Sequence, residues 1–365
     1  MKNIRKRILF LSLVPFVLAG CGTTQNHVDE DGHSTEEYEI LLNYSDHDPP
    51  SGMRTSFIDE YWFPEIEKET NGKVKINAIY GGGLLGSSEA LNGVRDGVAD
   101  MGLIYPDNYP QRMFSYDLLK LFPEGPDNFE NIYEIFSKAM VELPRLQEDL
   151  NKNNQKPLLI TTGLPIVFGS TEKLDSLADL KGEQWRASSR WYLEAIKNIG
   201  ANPVSVPWDD VYMSLETNVI DGVMTNYDGF HMMKFYETTP NIIVGTRLWW
   251  SAPFIHTINQ DAWDRLPIDL QEGIMKATET AQVKFGEVYE KELQAAIDIQ
   301  EEAGATVKIA DDEDIALFSD DKLFERLRAT WVKEAKEKHG IEDADQYVKD
   351  LERIMKEAIE KSQND

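Results

Sequence analysis

Cysteine is almost missing: Cys21 is the single thiol among 365 residues, so neither an intrachain disulfide nor a thiolate metal cluster can form. Histidine is scarce too. His27, His33, His47, His231, His256 and His339 form no H-E-x-x-H pair, which removes the zinc-protease arrangement. No G-x-S-x-G elbow and no G-x-x-x-x-G-K-[ST] loop occurs, so the nucleophile turn of the serine hydrolases and the nucleotide P-loop are both absent. Basic residues are few, 37 Lys plus Arg against 64 Asp plus Glu, and the formal net charge of -27 repels a polyphosphate backbone. DNA and RNA are therefore not expected as partners. No hydrophobic run reaches the ~20 residues of a membrane span. What is present, 41% hydrophobic and 28% charged residues with 8 Trp, 14 Tyr and 15 Phe, suits a globular chain, and its length calls for two lobes rather than one core.

The first residues read as an address. Lys2, Arg5, Lys6 and Arg7 precede an apolar run, Ile8 to Gly20, too short to remain as a membrane helix. It ends in Leu18-Ala19-Gly20-Cys21, which resembles the lipobox of bacterial lipoproteins. That resemblance implies removal of residues 1–20 and a lipid on Cys21. Without its four basic residues the chain has a formal charge of -31. Residues 21–37 contain Val28 as their one sizeable apolar side chain and cannot order themselves by burial. They are expected to be a flexible tether holding an extracytoplasmic body to the cell membrane.

The body alternates strands and helices. Tyr38 to Tyr44 reads as a strand, 53–70 as a helix, and Lys73 to Tyr80 as a second strand; a helix from Ser87 turns Leu91, Val94 and Val98 to the core, and 99–105 returns as a strand. This order predicts a parallel sheet with flanking helices. A helical stretch near 127–152, a strand at 157–163, and strands near 184–187 and 221–225 extend the α/β grammar into a second lobe. From Trp263 to Ile297 apolar residues recur by threes and fours, which predicts one helix over about 261–300, long enough to cross both lobes. Leu323, Leu327, Trp331 and Ala335 mark a further amphipathic helix with a solvated charged face.

Two features carry candidate chemistry. Gly81-Gly82-Gly83-Leu84-Leu85-Gly86 satisfies G-x-G-x-x-G after a strand, with Asp107 about 20 residues on. An export signal places it away from nucleotide cofactors, so a tight strand-to-helix turn is the expected role and no cofactor is anticipated. Arg186 closes a strand in a strongly acidic chain, and its planar fork of donors matches a carboxylate. Trp208, Trp249 and Trp250 stand near loop ends, where tryptophan suits either a core or the wall of a small-ligand cleft.

Gly72-Lys73-Val74-Lys75-Ile76, the glycine turn, Val94-Arg95-Asp96-Gly97-Val98-Ala99-Asp100-Met101 and, more specifically, Asp179-Leu180-Lys181-Gly182 with Arg186, Gly200-Ala201-Asn202-Pro203-Val204, Val211-Tyr212 and Leu215-Glu216-Thr217-Asn218-Val219-Ile220-Asp221-Gly222 together resemble the solute receptors of TRAP transporters, the tripartite ATP-independent type. The resemblance covers about 40–350. It implies two α/β lobes with a ligand cleft between them, a long helix spanning both, and no catalysis. The implied boundaries are 38–161 with 248–285 for lobe I, and 162–247 with 286–365 for lobe II.

The resemblance further implies that Arg186 binds a ligand carboxylate, that Trp208 supplies an aromatic wall, and that Tyr105 faces the cleft from the first lobe. Thr225 and Asn226 share the position after Asp221-Gly222 where the family commonly has Asn, and either can be the contact. Asp46, His47 and Trp249 complete the candidate ligand-binding set. The sialic-acid-binding branch has a second Arg about 20 residues before the main one, whereas this chain has Pro165-Ile166-Val167-Phe168 there. A small monocarboxylate or other compact organic acid, with an apolar or cyclic body, is the expected ligand, and a membrane permease the expected partner. The competing readings are an anchored glycoside hydrolase with a carboxylate pair and a sensor of the same fold.

Overall fold

The computed structural model describes residues 40–363. The signal at 1–20, Cys21 and the tether to residue 37 lie outside the described residues. Eleven strands are found among the described residues: β1 Ile40–Ser45, β2 Val74–Ile79, β3 Met101–Ile104, β4 Gln155–Thr161, β5 Ile166–Ser170, β6 Gln184–Arg186, β7 Asn202–Val204, β8 Gly222–Asn226, β9 Asn241–Gly245, β10 Phe254–Asn259 and β11 Thr306–Ile309. They form two sheets, ordered β2-β1-β3-β10-β4 and β11-β9-β5-β8-β6-β7. Each sheet, with its helices, is one lobe.

The expected parallel sheet is correct for β1, β2 and β3, but β10 runs antiparallel between β3 and β4. In the second sheet β5 likewise runs against β8 and β9. The cause is the way the chain changes lobes. Residues 162–165 join β4 to β5 and residues 246–253 join β9 to β10; neither link contains a crossover helix of the kind that sets parallel neighbours. Strand β10 is buried along its whole length, so its sequence shows no polar-apolar alternation.

The long helix is Ile268–Glu302, 35 residues, preceded by a separate turn of helix at Gln260–Asp264. Pro267 sets the break: it restricts the residue before it and suits a helix start, where its missing N–H is not needed. Leu270, Ile274, Ala277 and Ala281 are buried on the lobe I side, against the helix Phe63–Glu69 and β4. Gln300, near its other end, accepts a hydrogen bond from the Tyr227 hydroxyl of lobe II at 2.7 Å.

The last two helices correct the expected lobe II boundary of 286–365. Asp321–His339 lies at the junction: Phe114 stacks on Trp331 at 5.6 Å and on His339 at 3.8 Å, while Glu334 pairs with Arg190 of lobe II at 2.7 Å. Ala344–Ser362 packs on the lobe I helix Phe129–Glu142, and Asn128 donates to Ser362 at 2.9 Å. The chain thus changes lobes four times: at 162–165, at 246–253, along the long helix, and near 319–320. A smaller departure concerns Val98, expected in the core but 56% exposed. The helix Ala90–Arg95 ends early, and Gly97 at φ 75° turns the chain away.

Candidate ligand-binding cleft

Four strand ends and the loops after them converge on one cavity between the lobes. The space they surround, open solvent included, is ≈ 640 Å³. From lobe I come His47, Asp48 and Arg54 after β1, Tyr105 and Asn108 after β3, and Phe254 at the start of β10. Lobe II supplies Arg186 and Ser188 at the end of β6, Trp208, Thr225 and Asn226 at the end of β8, and Asp228. Trp250, in the link between lobes, closes one wall.

Arg186 is 5% exposed, and its Nε donates to the carbonyl of Val206 at 3.1 Å. Nη1 is buried with no partner in the protein. The guanidinium carbon sits 5.6 Å from the centre of the Trp208 ring, a cation–π distance. Burial pulls its pKa down to about 10, with no carboxylate bonded to it to restore the ordinary value. It remains charged at neutral pH. A cation taken out of water with an unmatched donor is costly unless an anion arrives.

The second guanidinium in the cavity is differently placed. Arg54, at the first turn of the helix Met53–Phe57, is buried against both carboxylates of the β1 loop: Nη2 donates to Asp46 Oδ1 at 3.1 Å and to Asp48 Oδ2 at 2.6 Å, and Nη1 pairs with Asp46 Oδ2. Its charge is consumed within the loop. Asp46 also accepts from the Asp48 N–H at 2.9 Å and from the Tyr44 hydroxyl at 3.0 Å. Asp46, expected to touch ligand, thus holds the loop in shape and does not line the cavity, whereas His47 does. Burial works to raise the Asp48 carboxyl, but His47 and Arg54 outweigh it and hold the pKa below the usual range.

Thr225 and Asn226 both line the cavity as links in one chain of hydrogen bonds. Thr225 Oγ1 donates to Asn226 Oδ1 at 3.0 Å, and Asn226 Nδ2 donates to Asp228 Oδ1 at 2.6 Å. Asp228 Oδ1 also accepts the Leu164 N–H at 2.8 Å. Gly163 leaves the room that Asn226 occupies: a Cβ there would come within 2.6 Å of the Asn226 Cβ.

Tyr105 stacks on Trp250 at 6.3 Å and 11°, and its hydroxyl donates to Asp107 Oδ2 at 3.0 Å. Ser188 of lobe II donates to the same oxygen at 3.2 Å. This is a contact across the cleft. Asp107 is in turn paired with the buried Lys120, so the acid of the supposed dinucleotide fingerprint serves the lobe junction. The glycine turn is committed as well: the N–H groups of Gly81 and Gly82 donate to the carbonyls of Asp48 at 2.9 Å and Asp46 at 3.1 Å. Both have positive φ, 64° and 69°, as a tight turn requires.

Trp249 is not in the cavity. Its indole N–H donates to the Phe122 carbonyl at 2.7 Å and its ring covers Gly125, where a Cβ would meet it at 2.4 Å. Neighbouring side chains of an extended segment point to opposite sides, and Trp250 is the one that faces the cleft. Arg54, Asp48, Asp228, Ser188 and Phe254 were not singled out as ligand contacts from the sequence, and Trp250 was left between core and cleft wall. The repeated acids Asp46 and Asp48 beside a single Arg54 were the one available signal. Among the described residues no group of three or more His, Cys, Asp or Glu is placed to hold a metal ion.

Two α/β lobes facing a cavity that holds an unpaired guanidinium define an anion-accepting binding protein of the two-lobed receptor class. The chain belongs to the bacterial extracellular solute-binding protein family 7, whose family model matches residues 48–361. This is the family of TRAP solute receptors, as the sequence resemblance implied. A curated relative is the 2,3-diketo-L-gulonate-binding periplasmic protein YiaO of Escherichia coli K12, 26% identical over 272 residues, covering 74% of this chain and 80% of the relative. Among solved structures, a marine metagenome TRAP solute-binding protein specific for aromatic acid ligands superposes with a TM-score of 0.76 at 22% identity, covering 88% of this chain and 99% of that one. DctP6 of Bordetella pertussis, a receptor binding pyroglutamic acid, gives 0.74 at 18% identity over 86% and 100%.

Proposed function

We propose that this protein captures a small organic acid outside the cytoplasm, with Arg186 on the ligand carboxylate, and delivers it to a TRAP membrane permease. The observation that carries the reading is the buried Arg186 guanidinium with an unmatched Nη1 facing a cavity between two lobes. Trp208, Trp250, Tyr105 and Phe254 supply an apolar wall suited to a compact cyclic body. The ligand favours closure through contacts it makes with both lobes at once, since only differential contacts shift such an equilibrium. The relatives named above are described as binding a sugar acid, aromatic acids and pyroglutamic acid, all compatible with a single carboxylate anchor. Cys21 is assigned as the site of lipid attachment, which would keep the receptor at the cell membrane beside its permease.

The test is a thermal-shift and calorimetric screen of residues 38–365 against small organic acids, repeated with Arg186→Ala. A carboxylate that raises the melting temperature of the wild type and loses about 100-fold or more in affinity in the variant, the scale of an unpaired buried charge, supports the assignment. Equal shifts in both proteins would sink it.

A further inference from the structure

Most hydrogen-bond donors around the cavity are matched within the protein. The hydroxyls of Tyr105 and Ser188 donate to Asp107, Thr225 Oγ1 donates to Asn226 Oδ1, and the amides of Asn108 and Asn226 donate to the Ser87 carbonyl and to Asp228 Oδ1. Arg54 and Trp208 both bond the Asp48 carboxylate. Two buried donors on the lining have no acceptor among the described residues, Arg186 Nη1 and the indole Nε1 of Trp250. The matching acceptor is single: Asp48 Oδ1, on a carboxylate whose other oxygen already meets Arg54. His47 Nδ1 is unpartnered as well, but a ring nitrogen donates or accepts according to its tautomer and so favours neither kind of ligand atom. Trp250 is 2% exposed, and a buried indole N–H ordinarily finds a partner. The adjacent Trp249 does so, on the Phe122 carbonyl.

An unmatched buried donor costs free energy until a ligand acceptor meets it. One carboxylate satisfies Arg186 and leaves the Trp250 N–H to be met by another atom. That donor is neutral, and Arg54, the other guanidinium on the lining, is already held by Asp46 and Asp48, so no free guanidinium is left for a second carboxylate. Resting on the carboxylate reading of Arg186, we propose that the ligand is a monocarboxylate with a second, uncharged oxygen acceptor in its body, a carbonyl or ether oxygen, and that the Trp250 N–H selects it. The ring that carries this donor is held by both lobes: it stacks on Tyr105 of lobe I at 6.3 Å and tilts against Tyr192 of lobe II at 5.9 Å. Its N–H is therefore a fixed point in the cleft, and the spacing from Arg186 sets how far the second oxygen must stand from the carboxylate. An analogue with CH2 in place of that oxygen leaves the N–H buried and unmatched, which is how a polar site rejects a ligand lacking one acceptor.

The experiment uses ring acids in which one CH2 is exchanged for C=O or O. The pairs are cyclopentanecarboxylate with 3-oxocyclopentanecarboxylate and with tetrahydrofuran-2-carboxylate, and cyclohexanecarboxylate with 4-oxocyclohexanecarboxylate and with tetrahydropyran-4-carboxylate; cyclohexane-1,4-dicarboxylate presents a charged acceptor instead. Dissociation constants are measured calorimetrically for wild type, Arg186→Ala and Trp250→Phe, which keeps an aromatic ring and lacks the N–H. The expected result is a preference of about tenfold or more for the oxygen member of whichever pair fits, the scale of one unmatched buried donor, with the dicarboxylate weaker than that member. In Trp250→Phe the oxygen member should lose more affinity than its partner, so that the preference falls to near unity, and in Arg186→Ala all the acids should be lost. If Trp250→Phe retains the full preference, the assignment to Trp250 is wrong. If the dicarboxylate binds most tightly, the second acceptor is not an uncharged one and the ligand class is overturned. If the oxygen-free members bind wild type equally well and Arg186→Ala abolishes them, the receptor reading stands and this inference is overturned. If no carboxylate of any scaffold binds, the reading of Arg186 fails and takes this inference with it. The wild-type preference is measured without any variant, so a folding defect in Trp250→Phe does not remove the test.

Discussion

Arg186 is a liability to the empty protein and, in the proposed function, an asset to the loaded one. Its guanidinium has one backbone partner, an aromatic face and no anion. Replacing it with a side chain of similar length and no charge removes an uncompensated buried cation. Arg186→Met is therefore expected to raise the melting temperature of the ligand-free protein by a few degrees, on the order of 1 kcal/mol, while abolishing carboxylate binding. Differential scanning calorimetry of the two empty proteins checks this; an equal or lower melting point in the variant would contradict it. His256 illustrates the opposite fate of a buried ionisable group. It sits between the Tyr44 hydroxyl at 2.8 Å and Thr161 Oγ1 at 3.0 Å, and burial, aided by the Arg54 charge, pulls its pKa down to about 3. Because the unfolded chain takes up a proton near the ordinary histidine value of about 6.5 and the folded chain does not, this group's contribution is intact above that value. It is lost progressively as the pH falls towards 3. The imidazole carbon signals of His256 should show no protonation at pH 5 by NMR.

At this scale the sequence was legible where one residue type in one place has few uses. Arg186 at a strand end in an acidic chain is such a case. Arg54 was not legible, because its role is decided by Asp46 and Asp48 reaching it across a turn, a pairing no periodicity records. Trp249 and Trp250 were indistinguishable as letters, and only the direction of the extended link assigns one to the core and the other to the cleft.

Elements were read best where their period is long and their ends are marked. The 35-residue helix was expected over about 261–300 and spans Ile268–Glu302, with Pro267 explaining the difference. Strands β5 and β10, buried throughout, and β9, buried but for Asn241, were harder, since buried strands lack alternation. The loops after β4 and β8 are where an element change should be felt in binding. Gly163 precedes Pro165 in the link between lobes, and its missing Cβ gives Asn226 its place. Gly163→Ala should displace Asn226 and with it Asp228, weakening ligand binding about tenfold at a stability loss of about 1–3 kcal/mol, the usual cost of overpacking. Isothermal calorimetry beside urea denaturation separates the two effects, and unchanged affinity would refute the coupling.

For the molecule as a whole, the lobes touch across the cleft at Ser188 with Asp107 and at Gly52, where a Cβ would come within 2.6 Å of the Met232 sulfur. A large side chain at this point should wedge the lobes apart. Gly52→Phe is expected to keep both lobes folded, lower ligand affinity at least tenfold, and prevent the ligand-induced decrease in radius of gyration that small-angle X-ray scattering is expected to record for the wild type. A variant that still compacts on ligand addition would place the closing contact elsewhere. The two-lobe architecture was legible from the repeated α/β grammar. The return of Ala344–Ser362 to lobe I was not, because an amphipathic helix records that it has a buried face and not which neighbour buries it.

Four passages of backbone between the lobes have a mechanical consequence. A body joined to another at one point can swing, twist and slide; joined at 162–165, at 246–253, along the helix Ile268–Glu302 and near 319–320, it retains little beyond a single opening angle. Occupancy of the cleft then maps onto one geometric coordinate. A permease need only gauge how far the jaws stand apart to distinguish a full receptor from an empty one, with no need to inspect the cargo.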